Sequence, residues 1–293
     1  MRRFLRLLQL LRSDRAALVT RAQIRIRLWW LALRNLTGRR AVTGSGDAVV
    51  CLTSYGHRVA SCHYTIESIA RGSTRPSRLI LWLDDEAALA HPSRALQRLM
   101  GRGLEVLPCP NFGPHNKQYP FALLEDTSGH PLVTADDDVL YPRFWLARLI
   151  EANHAFPDAV NCYRAHTIVT DGGVLAPYRT WVPRRGTKPS FAAFATGVSG
   201  VIYPPDLIAA LRGEGDAFLA SAPLADDVWT HAVAVRHGFR ARQIQDEQLE
   251  FPAVPGTQRG TLYHRNVAQG GNDGQIAAAY RPGDVVAIVT DRS

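Results

Sequence analysis

The sequence predicts an α/β fold of the mostly parallel mixed-sheet kind, flanked by helices and preceded by a basic helical leader. Three observations carry this reading. From Ala48 onward short apolar runs alternate with helical segments, polar and acidic residues fall at the ends of those runs, and the excess positive charge lies in the first forty residues.

The chain has 293 residues, 46% hydrophobic and 20% charged, as an ordinary globular protein does. Cys51, Cys62, Cys109 and Cys162 form no Cys-x-x-Cys pair, so neither a zinc ribbon nor a disulfide framework is indicated, and a reducing, cytoplasmic setting fits. Met1 to Arg40 hold eleven arginines and one acid, Asp14, for a net charge of +10. The whole chain carries +8, so everything from Ala41 on sums to −2. The leader's longest apolar run, Leu28 to Leu33, is far short of the roughly 20 residues that span a bilayer. Arginines interrupt it and no small-residue cleavage site follows, which argues against a signal peptide. Phe4, Leu7, Leu8, Leu11 and Leu18 follow helical spacing with Arg2, Arg3 and Arg6 largely on the other side, and Trp29 and Trp30 come later. Such a helix suits either the anionic inner face of the cytoplasmic membrane or packing on the body. Nucleic acid is a poorer partner, because no basic stripe with interleaved aromatics continues beyond the leader. Residues 1–42 are therefore expected as a leader and 43–293 as the body.

Within the body, Ala48 to Leu52 reads as a buried strand, followed by a helix over about Val59 to Arg71. A strand at Leu79 to Leu83 ends in Asp84 and Asp85; a helix over Glu86 to Met100 leads to a strand at Leu104 to Leu107. After the loop Pro108 to Asn116 comes a helical stretch, Lys117 to Leu124, then a strand, Pro131 to Ala135, that runs into Asp136, Asp137 and Asp138. Polar residues thus gather at strand carboxyl ends, where open parallel sheets bind ligands. No Gly-x-Gly-x-x-Gly follows the first strand, no phosphate-binding Gly-x-x-x-x-Gly-Lys-Ser/Thr occurs, and Gly197-Val198-Ser199-Gly200 misses the hydrolase elbow by one position.

Three adjacent carboxylates at a strand end repel one another unless something neutralises them, and a divalent cation such as Mn²⁺ or Mg²⁺ does so while bridging to substrate phosphates. In an extended segment Asp136 and Asp138 point to the same side, offering two oxygens to one ligand set. A solvated acidic turn or a helix cap before Pro142 is the alternative. The Asp226-Asp227 pair begins an apparent helix running to about His237, and capping explains it as well as catalysis does. Thr196 to Gly200, before a strand at Val201 to Tyr203, fits either close backbone approach to a ligand or an ordinary turn. Tyr178, Trp181 and Phe191 fit either stacking on a ligand ring or core packing.

The segments Val50 to Arg58, Leu81 to Asp84, Gly113 to Lys117, Asp136 to Val139 with Tyr141-Pro142, Cys162 to Ala165, Thr196 to Pro205 and Ala225 to Trp229 together resemble bacterial glycosyltransferases of the glycosyltransferase-A fold, over roughly Ala48 to Asp273. Such enzymes often build capsular or lipopolysaccharide sugars. The resemblance implies a nucleotide-diphosphate sugar over the strand ends and a glycan or lipid-linked acceptor. It implies Asp136 at the ribose or metal with Asp137 beside it, Asp138 as the main ligand to Mn²⁺ or Mg²⁺, and His264 as a third ligand. Thr53, Ser54 and Arg58 would border the base and ribose, Asp84 would contact the base, and Lys117 with Asn116 would approach the phosphates. Asp226-Asp227 resembles the Glu-Asp motif of inverting family 2 enzymes, with Asp227 as general base and Asp226 as its acceptor-orienting neighbour; the departure from Glu to Asp leaves the division between the two open. Tyr263 to Asn266 and Gly270 to Asp273 could form a loop that closes over the donor. A retaining transferase, a sugar nucleotidyltransferase on the same fold and a catalytically silent membrane-associated assembly protein are the rival readings.

Overall fold

The computed structural model describes residues 2–124, 129–257 and 271–291, with side chains from Thr20 onward. Among these, seven strands form the main sheet: β1 (Val49–Thr53), β2 (Arg78–Leu83), β3 (Leu104–Pro108), β4 (Leu132–Ala135), β5 (Ala159–Cys162), β6 (Val201–Tyr203) and β7 (Arg240–Gln243). Their spatial order is β7-β5-β6-β4-β1-β2-β3. Only β6 runs against its neighbours, pairing antiparallel with β4 and β5, while the other pairs are parallel. This is the mostly parallel mixed sheet, flanked by helices, that the alternating sequence pattern predicts.

Both faces of the sheet are covered, which is why β1 and β2 read as continuous apolar runs. Alternate residues divide between two cores. Val49, Cys51, Ile80 and Trp82 pack with helices α6 (Pro205–Glu214) and α7 (Asp226–Arg236). Val50, Leu52, Leu79 and Leu81 pack with α2 (Cys62–Ala70), α4 (Arg94–Met100) and α5 (Trp145–Ala155).

Three of the expected helices are divided. The stretch expected over Glu86 to Met100 is α3 (Glu86–Ala90) and then α4, separated by His91-Pro92-Ser93. Pro92 disfavours helical geometry at His91, whose ψ is 63°, and two caps mark the division: Asp85 accepts from the N–H groups of Ala87 and Ala88, and Ser93 accepts from that of Leu96. Lys117 to Leu124 is a 3₁₀ turn, Gly113–Lys117, followed by a single α-turn, Tyr119–Ala122, rather than one helix. Val59 to Arg71 likewise opens as a 3₁₀ turn, Gly56–Ala60, before α2.

The leader is one long helix, α1 (Arg2–Thr37). Its last turns belong to the body. Leu31 is fully buried against Leu140 and Val254, Arg27 donates to the Tyr141 carbonyl oxygen at 2.5 Å, and Asn35 is buried against Glu67 of α2. The aromatic-rich region around residue 180 is core rather than an open platform. Trp181 is buried, with ring centroids of Tyr178 and Phe194 at 5.0 and 5.1 Å, and Phe191 is covered by the Arg240 guanidinium at 4.2 Å.

The turn before β6 is tightly specified. Ser199 has φ of 73° and its carbonyl accepts from Trp145 Nε1 at 2.7 Å. Gly200 has φ of 103°, and a Cβ there would lie 2.7 Å from the same indole nitrogen. Gly200→Ala therefore combines backbone strain with a clash against a buried ring, and is expected to cost about 2–4 kcal/mol of stability in urea unfolding.

Candidate active site

The carboxyl ends of β1, β2, β3 and β4 lie along one edge of the sheet, and the antiparallel sense of β6 brings the turn Gly197–Gly200 to that same edge. The amino end of α7 adds Asp226 and Asp227. Two groups of acids result, one from β4 and one from α7.

Lys117 lies between them. Its Nζ donates to Asp136 Oδ1 at 2.5 Å, and it senses the charges of both Asp226 and Asp227. Burial alone would lower this ammonium, but Asp136 and then Asp226 outweigh that and hold it above its usual range. A Cβ built on Gly197 would lie 3.7 Å from Lys117 Nζ and 3.2 Å from Asp227 Oδ1, so all three groups share one crevice.

Asp227 is fixed by the backbone. The Gly197 N–H donates to both of its oxygens, at 3.0 and 2.9 Å. Burial, and then the Asp226 carboxylate, push the Asp227 carboxyl up to about 7 against the pull of the Gly197 N–H and Lys117. A carboxyl there changes charge near neutral pH, which suits a general base.

The three aspartates after β4 do not continue the strand. Asp137 and Asp138 enter a turn instead of an extended run, so the three carboxylates divide by cationic partner, while Asp136 still lies near enough to Asp138 to help raise its carboxyl. Asp136 meets Lys117, whereas Asp137 and Asp138 both face Arg58. Arg58 donates to Asp137 and lies 3.2 Å from Asp138, and Ser54 Oγ donates to Asp137 at 2.5 Å. Both carboxylates are buried, 2% and 5% exposed, and burial pushes both carboxyls up against the opposing pull of Arg58. Asp138 also has a side-chain hydrogen bond with Thr257.

The other sequence-derived candidates fall at varying distances from this centre. Thr53 spends its hydroxyl on the Trp82 carbonyl at 3.1 Å, bridging β1 to β2. Asn116 is buried and accepts from the Phe112 N–H at 3.1 Å, shaping the loop before Lys117. Asp84 stands at the end of β2 with β1 between it and β4; after burial, its charge helps hold the Cys109 thiol up at about 12. His264 lies outside the described residues. From Gly271 the expected closing loop is instead helix α8 (Gly271–Ala279), whose Asp273 accepts from the Tyr178 N–H at 2.7 Å. Two contacts went unforeseen, the Gly197 N–H on Asp227 and the Tyr141 hydroxyl accepting from the Asp136 N–H at 2.9 Å. The glycine was the sole sequence signal for the first.

The residues fit a divalent cation in charge and chemistry. Asp136, Asp137, Asp138, Asp226 and Asp227 face Arg58 and Lys117, so hard carboxylate oxygens outnumber the cations set against them. Among the described residues no group of three or more His, Cys, Asp or Glu side chains is arranged to hold a metal, so substrate oxygens would complete any coordination shell.

No protein-family model matches the chain, and no curated protein matches it in sequence. Solved structures resemble it in shape at low sequence identity. TarS of S. aureus, residues 1–349, is 14% identical with a TM-score of 0.46; 69% of this chain is covered, and it spans only 58% of that one. The mannosyltransferase PcManGT from Pyrobaculum calidifontis, solved with GDP-Man and Mn²⁺, is 14% identical over 93% of this chain and 78% of its own, with a TM-score of 0.48. The 4-diphosphocytidyl-2C-methyl-D-erythritol synthase from Anaerococcus prevotii is 12% identical over 76% and 96%, with a TM-score of 0.47. Overlaps this partial say what the chain is similar to and no more. By its own strand order and side chains, the protein is an α/β fold built on a mostly parallel mixed sheet, with two acidic groups joined through Lys117 at one edge.

Proposed function

We propose that the protein transfers a sugar from a nucleotide-diphosphate donor to a hydroxyl of a glycan or lipid-linked acceptor in surface-polysaccharide synthesis, with inversion at the anomeric carbon. The observation that supports this most is the placement of Lys117 between Asp136 and Asp227, which sets a phosphate-binding cation beside a carboxylate of raised pKa.

Asp227 takes the proton of the acceptor hydroxyl as that oxygen attacks the anomeric carbon. The bond from that carbon to the diphosphate breaks on the opposite face, and its electron pair leaves with the phosphate oxygen. Asp226, at the first residue of α7, orients the acceptor. Lys117 meets the charge that grows on the leaving phosphate, and the Gly197 N–H keeps Asp227 aimed. Asp136 and Asp138 would hold Mn²⁺ or Mg²⁺, and the cation would add Lewis-acid stabilisation of that charge.

The test is nucleoside diphosphate release from a panel of nucleotide sugars, with and without Mn²⁺. Release that requires both the cation and Asp138, and is lost in Asp138→Ala, is the expected result. Pyrophosphate release from a nucleoside triphosphate would instead identify a nucleotidyltransferase, and an inert protein in both assays would identify an assembly role.

A further inference from the structure

Over its described side chains, from Thr20 on, helix α1 has two apolar sides, and the body covers one of them. Leu31 and Asn35 are buried in the contact with the body, with Ile24 and Leu28 beside them. On the other side, Ile26, Trp29, Leu33 and Leu36 recur at the three- and four-residue spacing of one helical stripe and are 66%, 68%, 41% and 63% exposed. In the sequence the same spacing continues back through Ala22, Leu18, Leu11, Leu8 and Phe4, with Arg15 as the single charged interruption.

The surroundings of this stripe are cationic. From Thr20 to Arg40 the sequence has many arginines and no acid. Arg21, Arg25, Arg39 and Arg40 are exposed, and the guanidinium groups of Arg34 and Arg71 lie 5.8 and 5.5 Å from the Trp30 ring centroid. Exposed tryptophans beside arginines on a long helix match the polar and apolar layers of a lipid headgroup region. A second copy of the chain fits poorly, because pairing the stripes would bring together two leaders of charge +10.

The geometry points to the outer stripe of α1, Ile26, Trp29, Leu33 and Leu36 within its arginine border, as a docking surface for an anionic lipid bilayer, lying flat in the interface. No helix of the described residues is long and apolar enough to cross a membrane, which is consistent with a surface-lying mode. This inference does not depend on the proposed transfer reaction, and its failure would leave that reading standing.

The experiment is co-sedimentation of the full chain with vesicles of phosphatidylglycerol and phosphatidylcholine, against vesicles of phosphatidylcholine alone. Binding is expected to the anionic vesicles, with a blue shift of tryptophan emission. Trp29→Glu combined with Leu33→Glu should lower that binding by about tenfold or more while circular dichroism and the melting temperature stay unchanged, since both side chains are exposed. Arg21→Glu with Arg25→Glu should weaken it in a salt-dependent manner. Equal binding by the Trp29/Leu33 variant would overturn the proposal, as would a parent protein that ignores anionic vesicles. A parent that forms a dimer dispersed by the same double substitution would assign the stripe to a second copy and overturn it equally.

Discussion

Asp227→Asn is expected to slow transfer by about 10²- to 10⁴-fold while donor binding, read by calorimetry, stays near its original value. The physical basis is that asparagine keeps the shape and an oxygen for the Gly197 N–H but cannot accept the acceptor's proton. Because the Asp227 carboxyl is raised to about 7, the base form is scarce in mild acid and complete in mild alkali. The rate of the parent enzyme should therefore climb through about pH 7 and level off above it. The variant should lack that rise. A normal rate in Asp227→Asn, or a parent profile flat across neutrality, would remove Asp227 from the role of base.

The largest expected loss of stability comes from Glu67, which is fully buried on α2. It accepts from both terminal nitrogens of Arg102, from Arg34 Nε at 3.1 Å and from Asn35 Nδ2 at 3.2 Å. Arg102 is itself 8% exposed and donates its Nε to the Arg40 carbonyl at 2.8 Å. Glu67→Ala strands a buried guanidinium and frees two further donors, so a loss of about 3–5 kcal/mol is expected in urea unfolding. Arg34→Ala should cost far less, since that side chain is partly exposed and Arg102 remains in place. Truncation should follow the same logic: removing residues 1–20 leaves the Glu67 cluster whole, whereas removing 1–40 also takes Arg34, Asn35 and Leu31 from the body.

Strand positions and the site edge were legible because a strand buried on both faces must be apolar throughout, and the acids that follow it mark where the chain leaves the core for the ligand-binding edge. All five expected strands reappear within a residue or so at each end, and Asp136 to Asp138 stand where β4 ends. The turn at Asp137 was less visible, because period-two spacing assumes an extended chain and three successive acids resist one. Arg102 was hidden by composition, since in a chain with only two lysines and many arginines a single arginine carries little signal, and Arg58 entered through the resemblance alone, as a neighbour of the base and ribose and not as the partner of Asp137 and Asp138. The Gly197 contact had no side-chain signature, since a backbone N–H is present at every residue but proline. Pro92 was a visible helix breaker, and periodicity across it outweighed that signal.

Tyr141 ties three parts of the molecule together. Its carbonyl takes the Arg27 guanidinium of α1, its N–H donates to Ser68 of α2, and its phenol receives the Asp136 N–H. A helix fastened at that residue acts as a fixed spacer: with a diameter of about 10 Å it would hold the reaction centre at a set height above whatever its far side rests on. If the outer stripe rests on a bilayer and the site transfers a sugar as proposed, acceptors would be sorted by how far their growing end rises from that plane.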